Sequence, residues 1–198
     1  MLIRILSFLL ETAFFLLVAA AFLRAWMNWL RVSMTGQPGK FVMALTDWLV
    51  KPLRRSLPKA VTAARLDWAS VLAATLLALA YAALAWLLLG ALVGAFADPA
   101  GAASTTGAMD AGSAIFLSLP LIALKFMLRV ILQTLFMLVL GFAILSWVQP
   151  GSAAYGLLGR LTEPLLAPLR RIIPEIGGVD LSALAALVLL QIGMMVLI

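Results

Sequence analysis

The chain has 198 residues, 65% of them hydrophobic and only 11% charged, and its mean hydropathy of +1.16 excludes a soluble globule, which must show water a polar exterior. It contains no cysteine and no histidine, which excludes disulfides, thiolate or imidazole metal sites and imidazole-based catalysis. The formal net charge of +6 reads, in so apolar a chain, as membrane topology and anionic lipid, and no nucleic acid is expected as a partner.

The N-terminal run MLIRILSFLLETAFFLLVAAAFL sets a basic residue ahead of an apolar stretch that continues to Trp29, well past about 15 residues, with no small-residue cleavage site ending a short apolar core. It predicts an uncleaved first span over about 8–30, interrupted by Glu11 and Arg24. Segment 31–65 then holds Arg31, Lys40, Lys51, Arg54, Arg55, Lys59 and Arg65 against one acid, Asp47. Its part from about 38 to 58 alternates basic and apolar faces as an amphipathic helical segment does. An Ala- and Leu-rich second span covers about 69–96, with Gly90 and Gly94 as a GxxxG, and ends before Asp98-Pro99. Residues 98–112, small and carrying Asp98 and Asp110, read as a loop. The third span covers about 127–148, after a softer stretch from Ile115 that contains Pro120, Lys125 and Arg129. A second amphipathic segment, about 152–174, lies in a stretch holding Arg160, Arg170 and Arg171, and the fourth span is about 181–198.

Backbone groups in hydrocarbon must pair within their own segment, so the spans are helices. The fold class is therefore an all-α membrane protein: four transmembrane helices as two parallel tandem repeats, each with a cytoplasmic amphipathic segment between its spans. The first repeat is 1–97, the loop 98–112 and the second repeat 113–198. By the positive-inside rule the two basic segments, 31–65 and 149–179, face the cytoplasm, and both termini and the loop lie outside. Trp26, Trp29, Trp48, Trp68 and Trp147 fall near the same cytoplasmic interface.

The repeat is read from two runs, LTDWLVKPLRRSLP at 45–58 and LTEPLLAPLRRIIP at 161–174. At one constant offset Leu45, Thr46, Leu49, Pro52, Leu53, Arg54, Arg55 and Pro58 recur as Leu161, Thr162, Leu165, Pro168, Leu169, Arg170, Arg171 and Pro174, while Asp47 is answered by Glu163. Asn28-Trp29 recurs as Ser146-Trp147, and Asp67 as Asp180, both acids placed to cap the returning helix. Thr162 and Glu163 suit the start of a helical piece, and Pro52 and Pro168 predict short pieces joined at an angle.

These residues, with GGVDLSALAALVLLQI after the second run, resemble the YggT family of bacterial membrane proteins over nearly the whole chain. The resemblance implies an inner-membrane protein of two tandem repeats. It also implies links to osmotic-stress tolerance and potassium homeostasis and, in plastid relatives, to cytochrome cofactor assembly and to nucleoid or division organisation. It fixes the architecture better than the activity. The family pattern places an arginine five residues before the tryptophan: Arg24 fits it, whereas Phe142 stands there in the second copy, and Gly177-Gly178 has no counterpart before Asp67.

Arg54, Arg55, Arg170 and Arg171 are the candidate binding residues, because guanidinium forks take phosphate or carboxylate in pairs of hydrogen bonds; the plain alternative is that they only set topology. Glu11 and Arg129 occupy matching places in the two repeats, with Lys125 one turn from Arg129, and form a candidate inter-repeat ion pair, unless all three snorkel outward. Arg24 is close enough to Trp29 to snorkel toward the cytoplasm, and Asn28, Gln133 and Gln191 suit bonds between helices. The sequence contains no catalytic set, metal cluster or phosphate loop, so neither enzymatic activity nor a cofactor is expected. The expected role is an accessory or scaffold protein, in osmotic-stress tolerance or membrane-complex assembly, that binds anionic lipid headgroups, a membrane protein partner or a further copy of itself. The alternative is an ion channel or transport component in potassium or osmotic homeostasis.

Overall fold

A computed structural model describes residues 1–33, 39–56, 67–96, 108–171 and 181–197. The expected cap Asp180, Pro58, Lys59, Arg65, Pro174 and Gly177-Gly178 lie outside these residues. The described elements are six helices: α1 (Leu2–Trp29), α2 (Gly39–Ser56), α3 (Trp68–Phe96), α4 (Ala108–Val148), α5 (Ala153–Arg170) and α6 (Leu181–Leu197). Stretches Arg4–Trp29, Trp68–Leu88 and Ser118–Val148 are long and apolar enough to cross a bilayer. Helix α6 is equally apolar but has 17 residues, a rise of about 26 Å against a hydrocarbon thickness of about 30 Å. Three described helices thus reach spanning length, where the hydropathy pattern predicts four.

Three further expectations change. Helix α4 has 41 residues and begins at Ala108, inside the stretch read as a loop and well ahead of residue 127. Its early turns are rich in Leu and Ile, good enough helix formers to carry it through Pro120 at the loss of one backbone bond. Likewise α2 stays helical through Pro52 and α5 through Pro164 and Pro168. Each of these prolines, like Pro120, gives up one backbone bond without ending its helix. Thr162 does not start a helical piece. It lies deep in α5, fully buried, with Oγ1 donating to the Leu158 carbonyl at 2.8 Å.

Helices α1, α3 and α4 share one core of Val18, Ala21, Ala74, Leu77, Ala78, Ala82, Ala123, Phe126 and Val130. Alanine along α3 lets its neighbours approach closely, and the Tyr81 ring stacks on Phe126 with centroids 3.9 Å apart. Helix α2 rests on α1 and α3, and α5 rests on α4 and α6 in the same way. The correspondence reaches single residues. Val50 packs on Ala69 and Ala73, as Leu166 packs with Ala183 and Ala186. Thr46 donates to the Val42 carbonyl at 2.7 Å, the equivalent of the Thr162 bond. Trp26 of α1 ties the halves together, its Nε1 donating to the Leu161 carbonyl at 3.0 Å.

Helix ends set where α2 and α5 begin. Helix α1 closes with Arg31 N–H bonded to the Asn28 carbonyl and Val32 N–H to that of Met27, leaving Arg31 at φ 55°, a place glycine usually fills. Between α4 and α5, Gln149-Pro150-Gly151-Ser152 makes a tight turn. Pro150 pre-sets its first central residue, Gly151 takes φ 93°, and Ser152 N–H reaches the Gln149 carbonyl at 3.3 Å. Ser152 then caps α5, its side chain accepting from Tyr155 N–H at 3.1 Å. A Cβ on Gly151 would meet nothing within 4 Å, so Gly151→Ala tests backbone conformation alone. It should cost about 1–2 kcal/mol, and Ser152→Ala about 1 kcal/mol, both read from unfolding in mixed micelles.

Candidate functional site

The densest polar chemistry lies where α1 ends, α3 begins and α2 crosses between them. Arg24, 6% exposed, turns inward, not outward to snorkel. Its Nη1 donates to Thr46 Oγ1 at 2.9 Å and to Asp47 Oδ1 at 2.8 Å. Its Nε lies 3.9 Å from Asp67 Oδ2 and has no hydrogen-bond partner. Asp67 stands directly ahead of α3, and its carbonyl accepts the first helical N–H groups, from Ser70 and Val71, as a capping residue's does. Its carboxylate takes Arg54 Nη2 at 2.7 Å and Ser70 Oγ at 2.9 Å. Lys51 Nζ completes the set, 2.8 Å from Asp47 Oδ2. Three bases and two acids thus lock three helices together, the carboxylates compensating the burial of the Arg24 guanidinium.

Among the described residues, the second copy fills the same place without a buried charge. Phe142, 4% exposed, stacks on Tyr155 with centroids 5.1 Å apart. Glu163, where the first copy has Asp47, is 60% exposed at its side chain and lies 3.6 Å from Arg170 Nη1. The Arg170 guanidinium sits 5.8 Å from the Phe142 ring centre. Each arginine pair is therefore divided. The first member, Arg54 or Arg170, engages an acid of its own half, and the second, Arg55 or Arg171, is exposed.

The remaining sequence-derived residues fall as follows. Trp29 and Trp147 are exposed at the end of the bundle that carries α2 and α5. At the other end Arg129 Nη1 approaches Glu11 Oε1 to 3.5 Å, while Lys125 is exposed one turn further out. The sequence reading missed the inward turn of Arg24. The acids that receive it, Asp47 and Asp67, stand out in the sequence as positions the repeat keeps acidic, but their convergence on Arg24 does not.

Fold and site together define an all-helical protein whose long apolar helices are those of a membrane protein, with two basic helices at one end. The sequence profile of the CCB3/YggT family matches residues 3–88 and 121–198, one segment in each half, and the chain belongs to that family. It is similar to a Vibrio alginolyticus protein described as the uncharacterized protein in the proC 3' region, at 34% identity over 186 residues, 93% of this chain and 89% of the relative. It is also similar to the uncharacterized protein YggT of Escherichia coli K12, at 30% identity over 189 residues, 94% of this chain and 86% of the relative. An uncharacterized protein of Haemophilus influenzae is 28% identical over 170 residues, 85% of this chain and 77% of the relative. No solved structure matches.

Arg24→Met should cost about 3 kcal/mol, the low end for breaking a buried pair, because Asp47 keeps Lys51 and Asp67 keeps Arg54. The Lys51 ammonium and then the Arg24 guanidinium hold the Asp47 carboxyl below its ordinary value of 3.8. A carboxyl lowered by folding contributes fully above 3.8 and loses that contribution as the pH falls through its lower folded value. Unfolding measured across this acid range should therefore be steeper in the natural protein than in Asp47→Asn.

Proposed function

We propose that this protein is a non-enzymatic scaffold of the inner membrane that holds two basic amphipathic helices, α2 and α5, against the anionic phosphates of the cytoplasmic leaflet. In this reading α6 makes a fourth crossing, its shortness met by local thinning of the bilayer, and both termini lie outside the cytoplasm. One observation carries the proposal: α2 and α5 sit at the same end of the bundle, where Trp29, Trp48, Trp68 and Trp147 are all exposed. Amphipathic rings concentrated at one level mark a membrane–water interface.

The burial pattern supports an interfacial seat for both helices. Helix α2 buries Gly39, Val42, Thr46 and Val50 and leaves Lys40, Lys51, Arg54 and Arg55 exposed. Helix α5 buries Leu161, Thr162 and Leu166 and leaves Arg160 and Glu163 exposed, with Arg171 just beyond its end. Phosphate would meet Arg55 and Arg171 first, since Arg54 and Arg170 are engaged by acids.

The test is lipid retention by the full chain in nanodiscs of mixed zwitterionic and anionic lipid, read by native mass spectrometry. At about 1 kcal/mol per base near a charged surface, the pair Arg55→Gln and Arg171→Gln should weaken retention of anionic lipid about thirtyfold. Equal retention of both lipid classes by the natural protein would refute the reading. Ion flux through vesicles holding the protein, absent from empty vesicles, would establish the channel alternative.

A further inference from the structure

Away from the basic helices, α1 and α4 lie side by side around a notch of about 220 Å³ lined by Phe8, Glu11, Thr12, Phe126, Arg129 and Gln133. The Glu11 and Arg129 side chains remain 46% and 50% exposed. Exposed apolar residues border them on both sides: Ile5, Leu9, Leu121 and Leu124 further out, and Leu16 and Met137 further in. The charges are thus set into an apolar belt. Hydrocarbon offers no partner to the open half of a carboxylate or a guanidinium, so such groups face protein or a polar cavity in membranes.

We propose that this notch is the contact between two copies of the chain, related by a two-fold axis along the membrane normal, with Glu11 of each copy facing Arg129 of the other. The proposal rests on the membrane-spanning part of the reading above, not on headgroup binding. Rotation about the normal preserves depth, so only groups at equal depth can meet. Glu11 stands 18 residues before Trp29 and Arg129 stands 18 residues before Trp147, each about 27 Å along its helix from the interface. An acid and a base side by side at one depth form a self-complementary patch: half a turn sets acid against base twice and closes a ring of four alternating charges. The Arg129 fork has donors to spare after its single approach to Glu11, and the second copy supplies their acceptor.

Co-expression tests the pairing. With Glu11→Arg the notch presents only bases, and with Arg129→Glu only acids. Each variant alone should associate at least about tenfold more weakly than the natural chain, whereas the two expressed together, with different tags, should be captured as one complex. Counting bleaching steps of labelled protein in dilute vesicles gives the state of each sample, two steps being expected for the natural chain. Because the chain contains no cysteine, Thr12→Cys provides a readout free of charge changes: it should form an oxidised dimer, and Val188→Cys on α6 should not. Single-step bleaching of the natural chain at every protein-to-lipid ratio would overturn the proposal, as would dimers that survive both reversals, or Thr12→Cys no more readily crosslinked than Val188→Cys. A monomer that still selects anionic lipid through Arg55 and Arg171 overturns the dimer and leaves the headgroup reading intact. A dimer with no lipid preference does the reverse.

Discussion

A guanidinium withdrawn from water is held only where carboxylates replace its hydration, and Arg24 imposes that condition on the first half of this protein. Its carbon stem is part of α1, its nearest acceptors belong to α2, and Asp67 stands at the head of α3. To keep the charge paired, α2 must lie across the bundle end with Thr46 and Asp47 inward. Arg54 must then reach back along α2 to Asp67. The orientation of α2, and with it the outward direction of Arg55, follows from this single requirement.

Phe142 frees the second half from the same requirement, yet α5 takes an equivalent seat on α4 and α6. The shared parts are steric: small residues on the returning helix, a branched or aliphatic side chain against them, and a buried threonine bonded to its own turn. This packing is common to both halves, and the charge network of the first half adds direction to it. An aromatic ring packs as a large apolar body with weak angular demands, whereas hydrogen bonds to a fork fix angles. Helix α2 is accordingly held by several side-chain bonds to charged groups, and α5 by an apolar seat, one Trp26 bond to its backbone and an arginine resting on a ring.

Much of this was legible in residue order. The apolar runs of α1, α3 and α4 and the LT–P–LRR repeat locate the spanning-length helices and the two basic helices, because hydrocarbon thickness and amphipathic period leave direct marks on sequence. Continuity through Pro52, Pro164 and Pro168 was not legible, since a proline beyond the first turn loses one backbone bond and what packs around it decides whether the helix bears that loss. The start of α5 was readable in principle: Gln-Pro-Gly occurs at 37–39 as well as at 149–151, and Pro-Gly followed by serine is a turn-and-cap signal. The inward course of Arg24 required knowing that Asp47 and Asp67, twenty residues apart in the chain, converge on it, and local pattern holds no record of that.

The distribution of polar groups bears on what kind of activity the fold can host. Among the described residues the ion pairs gather at two levels, the network around Arg24 at one end and Glu11 with Arg129 at the other. Between them the shared core of α1, α3 and α4 is alanine, valine, leucine and phenylalanine, and the hydroxyls of Thr75 and Thr134 are bonded to carbonyls of their own helices. An ion moving through this shared core would have to shed its water against mostly apolar side chains of the described residues, the condition that selectivity filters exist to avoid. On the two proposals made above, each polar level would act on a surface: one toward headgroups and one toward a second copy of the chain. A single chain of the proposed kind would link two kinds of contact through a closely packed apolar middle, as a scaffold does.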